Sequence, residues 1–187
     1  MLQKLWLERL TWDDPIPEHL ANNYLLFRNK LESLDNLKIP RHIICYRELR
    51  LELHGFCDSS EKAYGACIFI KSTDSLGKSY SFLLCAKSKV APPKPVTLPR
   101  LEFCGAVILS RLTNKVKNSL NVQFNTCYLW TDSTIVLSWL KTSANLLKTF
   151  VSNRVAEIKE TTSFAQWRHV PGKDNPADLV SRGRRTR

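Results

Sequence analysis

The first 47 residues keep helical spacing. Leu20, Tyr24, Phe27, Leu31 and Leu34 recur at steps of 4, 3, 4 and 3, which sets them on one face of a helix. Asp13-Asp14-Pro15 separates this helix from a short first segment, Met1 to Leu10, and Pro40 closes the region. The apolar stripe needs a partner surface, either the domain that follows or something beyond this chain. After Arg47 the period shortens to two. Leu49, Leu51, Leu53 and Gly55 alternate with Arg50, Glu52 and His54, the pattern of a strand with one apolar face. Tyr64 to Ile70 is apolar enough for a central strand, Asp74-Ser75-Leu76-Gly77 is a turn, and Ser79 to Ala86 is a third strand. Short connections predict an antiparallel meander.

A basic, proline-rich connection, Lys87 to Arg100, contains no acid. A helix is expected from about Pro99, with Leu101, Cys104, Ile108, Leu112 and Val116 as its buried stripe. Cys127 to Trp130 reads as a buried strand, and helical spacing resumes at Ile135, Val136, Trp139 and Leu140. A helix over Leu146 to Glu160, a strand over Phe164 to Val170 and a short helix over Pro176 to Arg182 complete the order. Three strands, helix, strand, two helices, strand and helix predict an α/β domain with a five-stranded mixed sheet and flanking helices, preceded by a short helical segment.

Four acids hold special places in this pattern. Asp132 stands where the fourth strand turns into a helix, Asp58 lies toward the end of the first strand, Glu102 opens the first long helix, and Asp178 lies in the last. Helix capping accounts for Asp132 as well as any chemistry does, and an acid early in a helix also favours the helix dipole. If the first and fourth strands are neighbours, however, all four carboxylates meet at one edge. Converging acids repel each other unless a cation is bound. Oxygen ligands of this kind suit Mg²⁺ or Mn²⁺. Two such ions about 3.5–4 Å apart are a known arrangement for cleaving a phosphodiester.

Composition narrows the partner. A net charge of +11 points to an anionic one, most simply nucleic acid. The six cysteines (45, 57, 67, 85, 104 and 127) form no C-x-x-C pair and read as reduced core thiols of an intracellular protein, in cytoplasm or nucleus. No apolar run reaches membrane-spanning length, and no membrane partner is expected.

The runs FCDSS, LPRLEFCGA, LWTDSTIVLSWL and WRHVPGKDNPADLVSRG, in this order, resemble the ribonuclease H domain of BEL/Pao-type long-terminal-repeat retrotransposon polyproteins. Residues 1–47, with WLERLTWDDPIP, resemble the connection segment that follows the reverse transcriptase there. The resemblance implies a helical connection over 1–47, a ribonuclease H-like domain over 48–183 and a basic tail over 184–187. It implies that Asp58, Glu102, Asp132 and Asp178 bind two Mg²⁺ ions, or Mn²⁺. Asp58 would bridge both ions, Glu102 would also touch the RNA strand, Asp132 would hold the ion that activates water, and Asp178 would complete the second site. The implied reaction cuts the RNA strand of an RNA–DNA hybrid, with reverse transcriptase and other polyprotein segments as partners.

The sequence departs from the cellular ribonuclease H pattern in two places. The loop VPGKDN has no histidine, and His169 precedes it, where a structural role is expected. The connection Lys141 to Leu147 is too short for the basic protrusion of the cellular enzymes. Substrate grip is therefore expected from Lys87, Lys89, Lys94, Arg100 and Arg182, with Ser59, Ser133 and Asn175 as further contacts. Serines beside the acids serve equally well as local caps. Asp174 reads as a turn residue, and Trp130, Trp139 and Trp167 as packing. The chain ends on Arg184, Arg185 and Arg187 and contains no Y-x-D-D motif, as expected for a piece of a longer polyprotein or of a decayed insertion. A nucleic-acid-binding module without turnover and a tether to a polymerase remain the alternative readings.

Overall fold

The structure is a computed structural model that describes residues 5, 7–36, 38, 40 and 42–183, without the side chains of 33, 34 and 144. Half of the expected first segment, the Leu34 side chain and the basic tail from 184 lie outside the described residues. The chain divides into two compact units, 1–41 and 42–187. The Cys45 amide donates to Ser72 Oγ at 3.0 Å and ties this stretch to the sheet.

In the first unit, helix α1 spans Glu18–Leu31 and continues as a 3-10 turn, Glu32–Asn36. Pro17 precedes it, and its carbonyl accepts from the Leu20 and Ala21 amides at 2.9 and 3.1 Å. Leu20 is buried, while Tyr24, Phe27 and Leu31 of the same stripe stay exposed.

The second unit holds strands β1 (Glu48–Ser59), β2 (Ala63–Asp74), β3 (Ser79–Val90), β4 (Thr126–Thr131) and β5 (Gln166–His169). They form one five-stranded sheet in the order β3-β2-β1-β4-β5. The meander β1-β2-β3 is antiparallel, and β4 and β5 run parallel to β1. At the turn after β2, Asp74 Oδ1 accepts from the amides of Leu76 and Lys78, and Gly77 takes a left-handed φ of 80°. Strand β3 reaches further than expected: Ala63 pairs with Val90 and Ala66 with Lys87. Lys87 and Lys89 therefore lie on an edge strand rather than in the loop predicted for them.

Helices α2 (Leu98–Ser119), α3 (Thr134–Lys141) and α4 (Thr149–Thr161) cover one face of the sheet. Core-facing Leu53, Cys57, Ile68 and Leu129 meet Phe103, Leu109, Val136 and Ile158 there. Helix α2 buries more than its predicted stripe, with Phe103, Ala106, Val107 and Leu109 added, because it packs against both the sheet and α4. Cys104 and Leu112 are only half-buried. The Trp139 ring meets Phe103 edge-on at 5.2 Å, and Trp167 Nε1 donates to Thr162 Oγ1, so both indoles serve packing. The last helix, α5 (Asp178–Arg182), lies on the opposite face, against β1 and β2. All six cysteines are free thiols, and burial pushes Cys67 and Cys127 up to about 12, beyond ready reaction.

Candidate active site

Parallel pairing of β1 with β4 decides the site. Cys57 is in register with Thr131, so the next residues, Asp58 and Asp132, leave neighbouring strand ends at the same edge of the sheet. Glu102 reaches that edge from α2. Its helix begins at Leu98, a turn earlier than Glu102 itself, and the first turn holds no acid. The expected place at the helix opening is therefore corrected, and the dipole explanation for Glu102 loses its force. Gly105, one turn further on, lets the helix come close: a Cβ there would stand 2.9 Å from Ser59 Oγ and 3.2 Å from the Asp58 carbonyl.

The electrostatics record this convergence. Burial, then the neighbouring charge of Asp58, push the Asp132 carboxyl up from its ordinary 3.8 to about 6, and Glu102 adds to the repulsion. Asp132 also lines an open depression of about 560 Å³ with Gly172, Asn175, Asp178 and Arg182. The 3-10 turn Gly172–Asp174 closes over Asp132, since a Cβ on Gly172 would stand 3.3 Å from Asp132 Oδ2.

Each of the other three acids is held by a protein donor. Ser133 Oγ donates to Glu102 Oε2 at 2.6 Å, Ser181 Oγ donates to Asp58 Oδ2, and Arg182 Nε pairs with Asp178 Oδ1 at 2.7 Å. No three His, Cys, Asp or Glu side chains among the described residues surround one point as ligands would. The donor chemistry nonetheless fits a hard divalent cation, because Asp58, Glu102 and Asp132 offer carboxylate oxygens and the charges of the first two act on the third. Asp178 shares the depression with Asp132 but is balanced by Arg182.

The expected nucleic-acid contacts divide. Ser59, Ser133 and Asn175 are buried, and each bonds within the protein. Ser59 Oγ donates to the Leu101 carbonyl, Ser133 caps α3 by accepting from the Val136 amide, and Asn175 Nδ2 donates to the Cys57 carbonyl. Lys87, Lys89, Lys94, Arg100 and Arg182 are exposed. Arg100 and Arg154 both stand over the Phe150 ring, at 5.1 and 3.7 Å from its centroid. Sequence reasoning missed Arg154 and Ser181, since neither carries a local signal and only folding sets them beside Arg100 and Asp58. His169 ends β5, in register with Thr131, and is exposed. Among the described residues no helix is long and apolar enough to cross a membrane.

The family model described as the Pao retrotransposon-like RNaseH-like domain matches residues 1–133, a span that includes Asp58, Glu102 and Asp132 but not Asp178. Among solved structures, the foamy viral protease-reverse transcriptase in complex with dsDNA is 12% identical with a TM-score of 0.51, covering 91% of this chain and 32% of that one. LC11-RNase H1 isolated from compost is 16% identical with a TM-score of 0.46, covering 70% of this chain and 91% of that one. The same LC11-RNase H1 in complex with an RNA/DNA hybrid gives 14%, 0.43, 68% and 89%. No curated protein sequence matches the chain.

Proposed function

This chain belongs to the family of Pao retrotransposon-like RNaseH-like domains, and on that premise we propose that it hydrolyses the RNA strand of RNA–DNA hybrids during reverse transcription. One observation carries the reading: Asp58 and Asp132 leave the ends of adjacent parallel strands side by side, and the charges of Asp58 and Glu102 add to burial in raising the Asp132 carboxyl. Asp58, Glu102, Asp132 and Asp178 would hold two Mg²⁺ ions, or Mn²⁺. When bound, the ions supply activation of the attacking water and stabilisation of the leaving 3′-oxygen. Water adds to phosphorus as the P–O3′ bond breaks, leaving 5′-phosphate and 3′-hydroxyl ends.

The chain's own residues fix the acids and collect the substrate. Ser133 Oγ donates to Glu102 and Ser181 Oγ to Asp58. Exposed Lys87, Lys89, Lys94 and Arg100 and half-buried Arg154 are placed to meet phosphates, while hybrid preference comes from minor-groove shape and 2′-hydroxyl contacts. Reverse transcriptase and other segments of the same polyprotein are the proposed partners, with 1–47 as the connection, 48–183 as the nuclease and 184–187 as a basic tail.

The test is cleavage of an end-labelled RNA–DNA hybrid with Mg²⁺ or Mn²⁺, beside an Asp132→Asn variant and a double-stranded DNA substrate. RNA-strand cleavage that the variant loses and the DNA duplex does not show supports the assignment. Hybrid binding without cleavage in either metal overturns it and leaves a binding module.

A further inference from the structure

Asp58 is the most enclosed of the four acids, 5% exposed, and the Ser181 residue beside it is 2% exposed. We propose that Ser181 is a positioning residue for the metal site: its hydroxyl fixes one Asp58 oxygen and leaves the second for a cation shared with Asp132. This rests on the reading of the acids as cation ligands given above.

Ser181 Oγ donates to Asp58 Oδ2 and has a second acceptor within reach, the Asp178 carbonyl at 3.2 Å. A hydroxyl has one proton, and an ionised carboxylate takes it in preference to an amide carbonyl. The choice of donor has a consequence for charge. A lysine or arginine at this place would hold Asp58 equally well but cancel the charge that a divalent ion requires. A neutral hydroxyl orients the carboxylate and leaves its charge intact, as partners behind metal ligands commonly do.

The backbone holds Ser181 in place from the strand side. Ser60 Oγ donates to the Ser181 carbonyl at 2.8 Å, which pins the last turn of α5 to the end of β1. Ser133 does related work on Glu102 but also caps α3, so its removal would mix two effects. Ser181 lies inside its helix and caps nothing.

Mn²⁺ binding is measured by calorimetry, without substrate, on the wild type and on Ser181→Ala and Ser181→Thr, each checked for fold by circular dichroism. The alanine variant is expected to bind Mn²⁺ about 10–100-fold more weakly, and the threonine variant, which keeps the hydroxyl, within about threefold of wild type. If alanine prevents folding, Ser181→Cys, with its weak donor, replaces it and is expected to show the same loss. Wild-type affinity in the alanine or cysteine variant, with only stability reduced, overturns the positioning role while the metal site stands. A wild type that binds no Mn²⁺ overturns the metal site and this role together.

Discussion

Replacing Asp132 by asparagine should stabilise the fold. The carboxyl is pushed up from 3.8 to about 6 by burial and by the charges of Asp58 and Glu102. At about 1.36 kcal/mol per pKa unit, ionising it in the folded state costs at most about 3 kcal/mol. Asp132 is only half-buried, and solvent screening reduces this to about 1–2 kcal/mol. The sign follows from the order of the two values. Because the folded-state value lies above the unfolded one, the penalty is absent below about pH 4, grows between about 4 and 6, and is complete above 6. A neutral asparagine in its place has no such penalty while keeping the shape of the side chain. The melting temperature of Asp132→Asn should therefore exceed that of wild type by about 2–8 °C at pH 7.5, from about 2–4 °C per kcal/mol, and by nothing at pH 4. Differential scanning calorimetry in EDTA at pH 4, 5, 6 and 7.5 reads this directly. A second series with Mn²⁺ should raise the wild type more than the variant, since a cation relieves the same repulsion. A pH-independent difference, or a variant less stable than wild type at pH 7.5, would refute the claim that repulsion among these acids shapes the site.

Gly105→Ala should cost about 1–3 kcal/mol in chemical denaturation and weaken Mn²⁺ binding, because its Cβ would press on Ser59 and on the Asp58 backbone. An unchanged denaturation midpoint would show that α2 and β1 have room to separate. Phe103→Ala, which empties a fully buried place against Trp139, should cost about 3–5 kcal/mol by the same measurement. Arg182→Gln, by contrast, removes an exposed pair with Asp178 and should change stability by less than about 0.5 kcal/mol. Arg100→Gln and Arg154→Gln should each lower the salt dependence of hybrid binding by about one phosphate contact, read as the slope of log affinity against log salt. An unchanged slope would remove that arginine from the interface.

The elements were legible because their signals are local. Alternation along Leu49 to Gly55 and the switch of period at Asp132 each lie within a few residues, and the strands and helix they announce are where the structure has them. Where local signals misled, a longer contact intervened. Lys87 and Lys89 carry a loop's composition, yet β2 extends its pairing to Val90 and takes them into the sheet. The bonds of Ser59 to the Leu101 carbonyl and of Asn175 to the Cys57 carbonyl likewise come from residues far along the chain.

What the sequence determined by itself was the identity of the acids and the order of the elements that carry them, because side-chain period and turn chemistry are written into neighbouring residues. Tertiary structure decided which acids meet and what holds them. Asp58 and Asp132 became neighbours only through the parallel register of β1 with β4. The donors to Glu102 and Asp58 come from residues 31 and 123 positions away in the chain. Directional bonds across such separations leave no periodic trace, since they depend on how finished elements pack rather than on which residues adjoin.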